Sequence, residues 1–237
     1  MLYGGTSGYS FREWVGPFYP PKTSPKKYLA YYASRLNSVE INYTFRRFPT
    51  AKLASAWAEG TSESFRFSIK MHRSVTHRAR LADVGKSVED FLAALIPLGT
   101  RLGVVLVQLP PNFPADKDRL ASFLAGLPKG FRFALEFRHP SWNDPTIHRL
   151  LRDSGVALCF VDAEIGAADF TQTAPFGYMR IRKAPPYTSE ELEIIQGQIE
   201  NISRQVEDLY LYVKHDDEGI APETVHRLGY SPIEREE

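Results

Sequence analysis

The chain has 237 residues, of which 43% are hydrophobic and 24% charged, a composition typical of globular proteins that fold in water. Its formal net charge of +1 excludes a polycation, so any attraction for anions must come from local clusters of basic side chains. No apolar run is long enough to span a bilayer, and the N-terminus lacks the features of a signal peptide. No membrane contact is therefore expected, and a cytoplasmic location follows by default.

Short apolar strands alternate with helical segments along the chain. Alternating and continuous apolar runs predict strands at Leu2–Thr6, Ser38–Asn42, Phe65–Lys70, Leu102–Gln108, Phe133–Arg138, Ala157–Asp162, Tyr178–Arg182 and Leu209–Lys214. Capping residues and first-turn prolines predict helices at Lys26–Arg35, Thr50–Glu59, Val88–Leu95, Asp116–Ala125, Thr146–Ser154, Ser189–Glu207 and Pro222–Leu228.

This alternation predicts a parallel sheet, and about eight repeats in a chain of this length predict a closed (β/α)8 barrel of the TIM type. No linker or shift in composition divides the chain, so a single domain over residues 1–237 is expected. The alternative is an open doubly wound sheet, which a glycine-rich phosphate loop after the first strand would favour. The segment Gly4–Gly8 is glycine-rich but matches neither the dinucleotide-binding pattern nor the P-loop.

The fifth predicted strand has one apolar face and one charged face. Phe133, Leu135 and Phe137 alternate with residues that include Glu136 and Arg138. A charged face is unusual on a buried strand, and it is explained if that face looks into a cavity where a ligand binds. In a TIM-type barrel such a cavity lies at the carboxyl ends of the strands.

The same phase on the other strands predicts a ring of polar side chains at that end of the barrel. Its members are Glu40, Asn42, Lys70, Gln108, Glu136, Arg138, Asp162, Arg180, Arg182 and Lys214. Five of these are cations and three are carboxylates, so positive charge is in excess. A phosphate or carboxylate ligand would balance this excess. The alternative is a barrel interior filled by internal salt bridges, without a ligand.

The loops add further candidates to this ring. His72, His139 and Trp142 complete the predicted substrate-binding set, and the loops after the first two strands are rich in aromatic residues such as Tyr9 and Tyr43. Aromatic faces beside a polar cavity suit a sugar ring or a nucleobase. The competing interpretation is that these rings, Trp142 aside, mostly pack the loops against the barrel.

The candidate catalytic residues are Glu136, Asp162 and Lys214. Glu136 and Asp162 follow adjacent strands and could act as an acid and base pair, while Lys214 beside other cations could have a lowered pKa. This chemistry would suit a hydrolase or an isomerase or lyase acting on an acidic small molecule, such as a sugar phosphate or nucleotide. The competing role for Glu136 is a plain salt bridge, so the sequence leaves open whether the protein is an enzyme.

Two other functions stay open. A nucleic-acid-binding barrel with phosphodiester hydrolysis is favoured by arginines among the loop aromatics and opposed by the near-neutral net charge. A non-catalytic ligand-binding protein is the other. No cofactor is predicted, and a metal site is disfavoured because the H-x-H and H-E-x-x-H patterns are missing and five cations lie nearby. The oligomeric state is not determined by the sequence.

Five stretches resemble the YecE-like family, known as domain of unknown function 72. They are Gly5–Tyr9 with Trp14 and Gly16–Pro20, Val39–Asn42 with Thr44 and Phe45, Gln108–Pro111, Glu136–Trp142, and Ala221–Glu223. The resemblance implies a TIM-barrel-like fold and no established reaction. The chain departs from the family pattern at Arg180–Lys183 and at Lys214–Asp217, so the ligand on that side is expected to differ.

Overall fold

A computed structural model describes residues 1–162 and 170–229. Eight parallel strands form one sheet in the order β1-β8-β7-β6-β5-β4-β3-β2. They are β1 (Leu2–Thr6), β2 (Ser38–Ile41), β3 (Arg66–Lys70), β4 (Leu102–Gln108), β5 (Arg132–Glu136), β6 (Ala157–Asp162), β7 (Phe176–Ile181) and β8 (Asp208–Val213). The predicted parallel TIM-type barrel is confirmed, and the open doubly wound alternative is wrong because β1 and β2 lie side by side.

Helices follow most of the strands and cover the outside of the barrel. They are α1 (Tyr28–Ala33), α2 (Ala51–Glu59), α3 (Gly85–Ala93), α4 (Lys117–Ala125), α5 (Pro145–Asp153), α6 (Ser189–Ser203) and α7 (Ala221–Arg227). Thr50, Asp116 and Asp144 cap α2, α4 and α5, as their sequence predicts. The predicted start of α3 at Val88 is wrong, because the helix begins at Gly85.

The seam between β1 and β2 is bridged by side chains. The Asn37 amide nitrogen donates to the carbonyl of Leu2 (2.9 Å), and the amide oxygen accepts the backbone N–H of Gly4 (2.9 Å). The two backbones approach so closely that a Cβ on Gly5 would lie 2.0 Å from the carbonyl oxygen of Ser38. Only glycine fits at this point of the closure.

The core has an outer and an inner layer. Outward strand residues pack against the helices, and the inner layer fills the barrel with residues that include Val104, Ala134, Cys159, Tyr178 and Tyr210. The predicted inward and outward faces of β5 are therefore correct. Burial raises the pKa of the Cys159 thiol, as expected for a structural cysteine. None of the helices in the described ranges has the length and apolar character needed to span a membrane.

Candidate functional site

Arg180 lies at the centre of the polar cluster at the carboxyl ends of the strands. Its side chain is 1% exposed, and its guanidinium donates to Glu136 and, at 2.8 Å, to Oε1 of Glu40. Burial alone would raise the pKa of each carboxyl, but the charge of Arg180 holds the pKa of both below the usual value. The three side chains form an ion-pair triad inside the barrel, so the alternative of internal salt bridges is correct for this part of the predicted ring.

Glu40 is held by further donors from neighbouring strands. The hydroxyl of Tyr178 on β7 donates to its Oε2 at 2.8 Å, and the amide of Asn42, just after β2, donates to its Oε1 at 2.9 Å. The carboxylate therefore has its charge balanced and its oxygen atoms occupied. Such a group positions its neighbours and is poorly placed to take a proton from a ligand.

The amide oxygen of Gln108 collects three cationic donors. Lys70 Nζ lies 2.9 Å from it, Arg138 Nη2 3.0 Å and Arg180 Nη1 3.2 Å. A carbonyl oxygen has two lone pairs, so the donors outnumber the sites that this atom offers. Gln108 is itself 4% exposed, which places this convergence of positive charge at the floor of the barrel mouth.

The charges around Gln108 leave a positive surplus. Arg138 also donates to Oε1 of Glu136 at 2.9 Å, while its side chain remains 34% exposed. The pKa of Lys70 falls to about 8, because burial and the charge of Arg180 disfavour its protonated form. Burial and Arg180 likewise lower the pKa of the half-buried Arg182. Four cations thus lie near two carboxylates, where the sequence predicted five cations and three carboxylates.

His77 was not in the predicted site, although it stands at this mouth. It lies on a π-helical turn, Ser74–Arg78, and its ring packs edge-on against Phe45 with the centroids 4.8 Å apart. Burial, followed by the charges of Lys70 and Arg138, lowers its pKa. Single π-helical turns are frequent at functional sites, but a π turn leaves no clear mark in a single sequence.

The predicted pairing of Glu136 with Asp162 is wrong. The inner face of β6 carries Cys159 and Val161, whereas Asp162 has the parity of Phe160, which packs in the outer layer. The negative charge of Asp162 acts on Tyr187, whose pKa is raised by burial and by nearby carboxylates. The sequence analysis assigned the polar residues of each strand to the inner face, but Asp162 has the outward phase of β6.

Lys214 does not join the triad. It follows the end of β8 and is half-buried, and its backbone N–H donates to the carbonyl of Ile181 at 2.9 Å. The lysine with the lowered pKa is Lys70, on β3. Burial is the main cause of this shift and the charge of Arg180 the second, and Lys70 is a residue that the sequence assigned to substrate binding.

The loop residues predicted to bind substrate lie outside the cluster. Trp142 is 1% exposed, stacks on Phe137 and donates its indole N–H to the carbonyl of Phe113 at 2.7 Å, so it packs the loop and offers no free face to a ligand. His72 and His139 each bond through Nδ1 to the hydroxyl of the serine two residues later. These bonds shape two turns rather than the centre of the site.

A metal centre finds no support in this geometry. Within residues 1–162 and 170–229, no group of three or more histidine, cysteine or acidic side chains is arranged to hold an ion. The two carboxylates at the mouth, Glu40 and Glu136, already bind arginines. Their oxygen atoms would have to leave those partners to coordinate a cation.

Comparison with known proteins assigns the family. The model of the family described as "Protein of unknown function DUF72" matches residues 3–231, so the chain belongs to that family. It is 28% identical to the UPF0759 protein YecE of Escherichia coli K12, over 96% of this chain and 91% of that protein. It is 25% identical to the UPF0759 protein YunF of Bacillus subtilis 168, over 93% of this chain and 91% of that protein.

Solved structures agree with the fold. A DUF72 family protein of Thermotoga maritima, TM1631, superposes with a TM-score of 0.84 at 27% identity, covering 96% of this chain and 97% of that one. A DUF72 family protein of Enterococcus faecalis, EF0366, superposes with a TM-score of 0.79 at 18% identity, covering 96% and 94%. The family resemblance and the TIM-barrel-like fold predicted from the sequence are both confirmed.

Proposed function

We propose that this DUF72 barrel binds the phosphate or carboxylate group of a small molecule at the mouth formed by Lys70, Gln108 and Arg138. The observation that carries the proposal is the convergence of three cationic donors on the single amide oxygen of Gln108. An acidic ligand offers several oxygen atoms in place of one, and it brings the negative charge that the cluster lacks.

Each cation has a distinct role in this proposal. Arg180 is buried between Glu40 and Glu136, which balance its charge, so its role is to hold these two carboxylates in place rather than to contact the ligand. Arg138 is the member that reaches solvent, and its planar guanidinium suits two oxygen atoms of one acid group. Lys70 offers a point charge beside it. Each new charge-assisted hydrogen bond to the ligand contributes about 1.5–3 kcal/mol to the free energy of binding.

The burial of these donors favours a compact anion over a nucleic-acid strand. Gln108 is 4% exposed and Arg180 1%, so a ligand must enter the mouth to meet them. A strand would need cations spread over a surface, with one phosphate for each. A small phosphorylated or carboxylated molecule is therefore the partner that we propose.

The mouth also holds two basic side chains whose pKa values are lowered. The pKa of Lys70 is about 8, and His77 has a pKa below its usual value and feels the charges of Lys70 and Arg138. These two groups, rather than Asp162 and Lys214, are the candidates for acid and base chemistry on a bound acid. Catalysis remains a second step of the proposal, which binding alone does not require.

Thermal unfolding with added anions tests the proposal. Wild-type protein is heated at constant ionic strength with sulfate, inorganic phosphate, glucose 6-phosphate or acetate, against chloride as reference. At least one anion should raise the melting temperature of the wild type, and the same anion should give no rise in Arg138→Ala, whose own melting temperature is lower because a bond to the buried Glu136 is lost. Arg149→Ala, an exposed arginine on α5, is the control that should respond like wild type. A wild-type protein that responds to none of the anions contradicts the proposal.

A further inference from the structure

A cleft with aromatic walls opens at the same end of the barrel, next to the cationic cluster. It has a volume of about 520 Å³, within the size range of small-molecule sites. The loops after β1, β2 and β8 and one side of α2 form it. The residues that line it include Ser10, Phe11, Asn42, Tyr43, Trp57 and His215.

The walls of this cleft offer flat, uncharged faces. The rings of Phe11 and His215 stack in parallel with centroids 4.7 Å apart. Burial lowers the pKa of His215, so near neutral pH its ring is an uncharged partner for another ring. Tyr43 is 50% exposed, although it is a large aromatic residue beside the cavity. The cleft is therefore suited to the body of a ligand and not to its acidic group.

Two connections join the cleft to the cationic cluster. Asn42 lines the cleft and donates its amide N–H to Glu40, which in turn accepts from Arg180. The turn Tyr43–Phe45 begins with a residue of the cleft wall and ends with Phe45, whose ring lies 4.5 Å from the ammonium of Lys70. One short segment after β2 thus borders both places.

We infer that the cleft holds the ring of the same small molecule whose acid group binds at Lys70 and Arg138. The ligand class is then a phosphate or carboxylate carried on an aromatic or similarly flat ring, with the ring against Tyr43 and Phe11. This inference rests on the proposed anion site and adds to it the nature of the rest of the ligand. Stacking on aromatic side chains is the contact that the exposed face of Tyr43 offers.

Two matched pairs of probes separate the ring from the acid. Inorganic phosphate is compared with phenyl phosphate, and acetate with benzoate, by titration calorimetry at pH 6.5, where Lys70 is protonated. In at least one pair the ring compound should bind about tenfold tighter, which is the gain expected from one stacked ring. The pair that shows the gain identifies the acid as a phosphate or a carboxylate.

Two variants locate the ring. Tyr43→Ala removes an exposed wall, and Ser10→Trp fills the cleft from an exposed position. Both should abolish the advantage of the ring compound and leave the affinity for the bare anion within about twofold of wild type. Phe48→Ala is the matched control, because Phe48 is an exposed aromatic residue of the same loop that does not line the cleft.

The outcomes separate this inference from the anion site. If the bare anion binds wild type but the ring adds no affinity in either pair, the ring assignment is wrong and the anion site stands. The assignment is also wrong if Tyr43→Ala and Ser10→Trp both keep the full gain. If no member of either pair binds, the anion site itself is refuted and the inference falls with it.

Discussion

Replacing Glu136 with glutamine should destabilise the protein strongly, because it breaks a buried ion-pair triad. Glu136 is 1% exposed and accepts from both Arg180 and Arg138. Removing one partner of a buried pair leaves an uncompensated charge and costs about 3–5 kcal/mol. For a chain of this length, that loss lowers the melting temperature by about 6–20 °C. Urea unfolding followed by circular dichroism measures the change in the free energy of unfolding.

An exposed pair provides the control. Glu200 lies 3.5 Å from Arg204 on the surface of α6, with 69% of its side chain exposed, and Glu200→Gln should change the free energy of unfolding by less than about 0.5 kcal/mol. Equal effects of Glu136→Gln and Glu200→Gln would refute the assignment of a structural triad.

The triad also predicts how stability depends on pH. The arginines hold the pKa of Glu136 below the usual glutamate value of 4.5, so the folded carboxyl binds protons less readily than the unfolded one. Its contribution is fully present above the unfolded pKa and is lost as pH falls through the folded pKa. Wild-type stability should therefore decline below about pH 4.5, and the decline should be shallower in Glu136→Gln.

Two further predictions concern β3 and β1. Because the pKa of Lys70 is about 8, Lys70 loses its charge as pH rises from 7 to 9, whereas sulfate keeps its charge. The affinity for sulfate, measured by calorimetry, should therefore fall over this range. Lys70→Arg should remove the dependence on pH, because arginine stays protonated. A flat profile for wild type would show that Lys70 does not contact the anion. Gly5→Ala should lower the free energy of unfolding by about 3 kcal/mol or more, the upper end of the usual cost of overpacking, because its Cβ would lie 2.0 Å from the carbonyl oxygen of Ser38. The control is Gly85→Ala, because a Cβ at Gly85 would meet nothing within 4 Å. This variant should leave the chemical denaturation midpoint nearly unchanged. Equal midpoints for the two alanine variants would contradict the close approach of β1 and β2 at Gly5.

The cluster unites two interpretations that the sequence kept apart. Arg180 with Glu40 and Glu136 is an internal ion network, in which both terminal nitrogens of the guanidinium bind a carboxylate and the buried Nε has no hydrogen-bond partner among the described residues. Lys70 and Arg138 form a second layer above it, with their charges directed at one neutral oxygen of Gln108. The buried layer fixes the geometry of the outer one, as a rigid support does for a binding site.

The sequence alone was sufficient for the barrel. Strand periodicity and helix caps are local signals, and residues such as Thr50, Asp116 and Asp144 bond to backbone atoms within a few positions of themselves. The alternation of Phe133 and Leu135 with Glu136 gave the inner face of β5 for the same reason, since neighbouring side chains on a strand point to opposite faces.

Which polar groups meet was decided only by the tertiary structure. Asp162 and Glu136 are close in strand order, yet one turns toward the helices and the other into the barrel. Both phases of β6 are apolar before Asp162, so the sequence did not show which phase faces inward. Lys70 and Arg180 both bond to Gln108, although they lie 38 and 72 positions away from it along the chain. These bonds and the lowered pKa of Lys70 therefore depend on contacts between distant parts of the chain. A single sequence encodes the period of each strand, whereas the rotation of the strands about the barrel axis determines which charges share one oxygen atom.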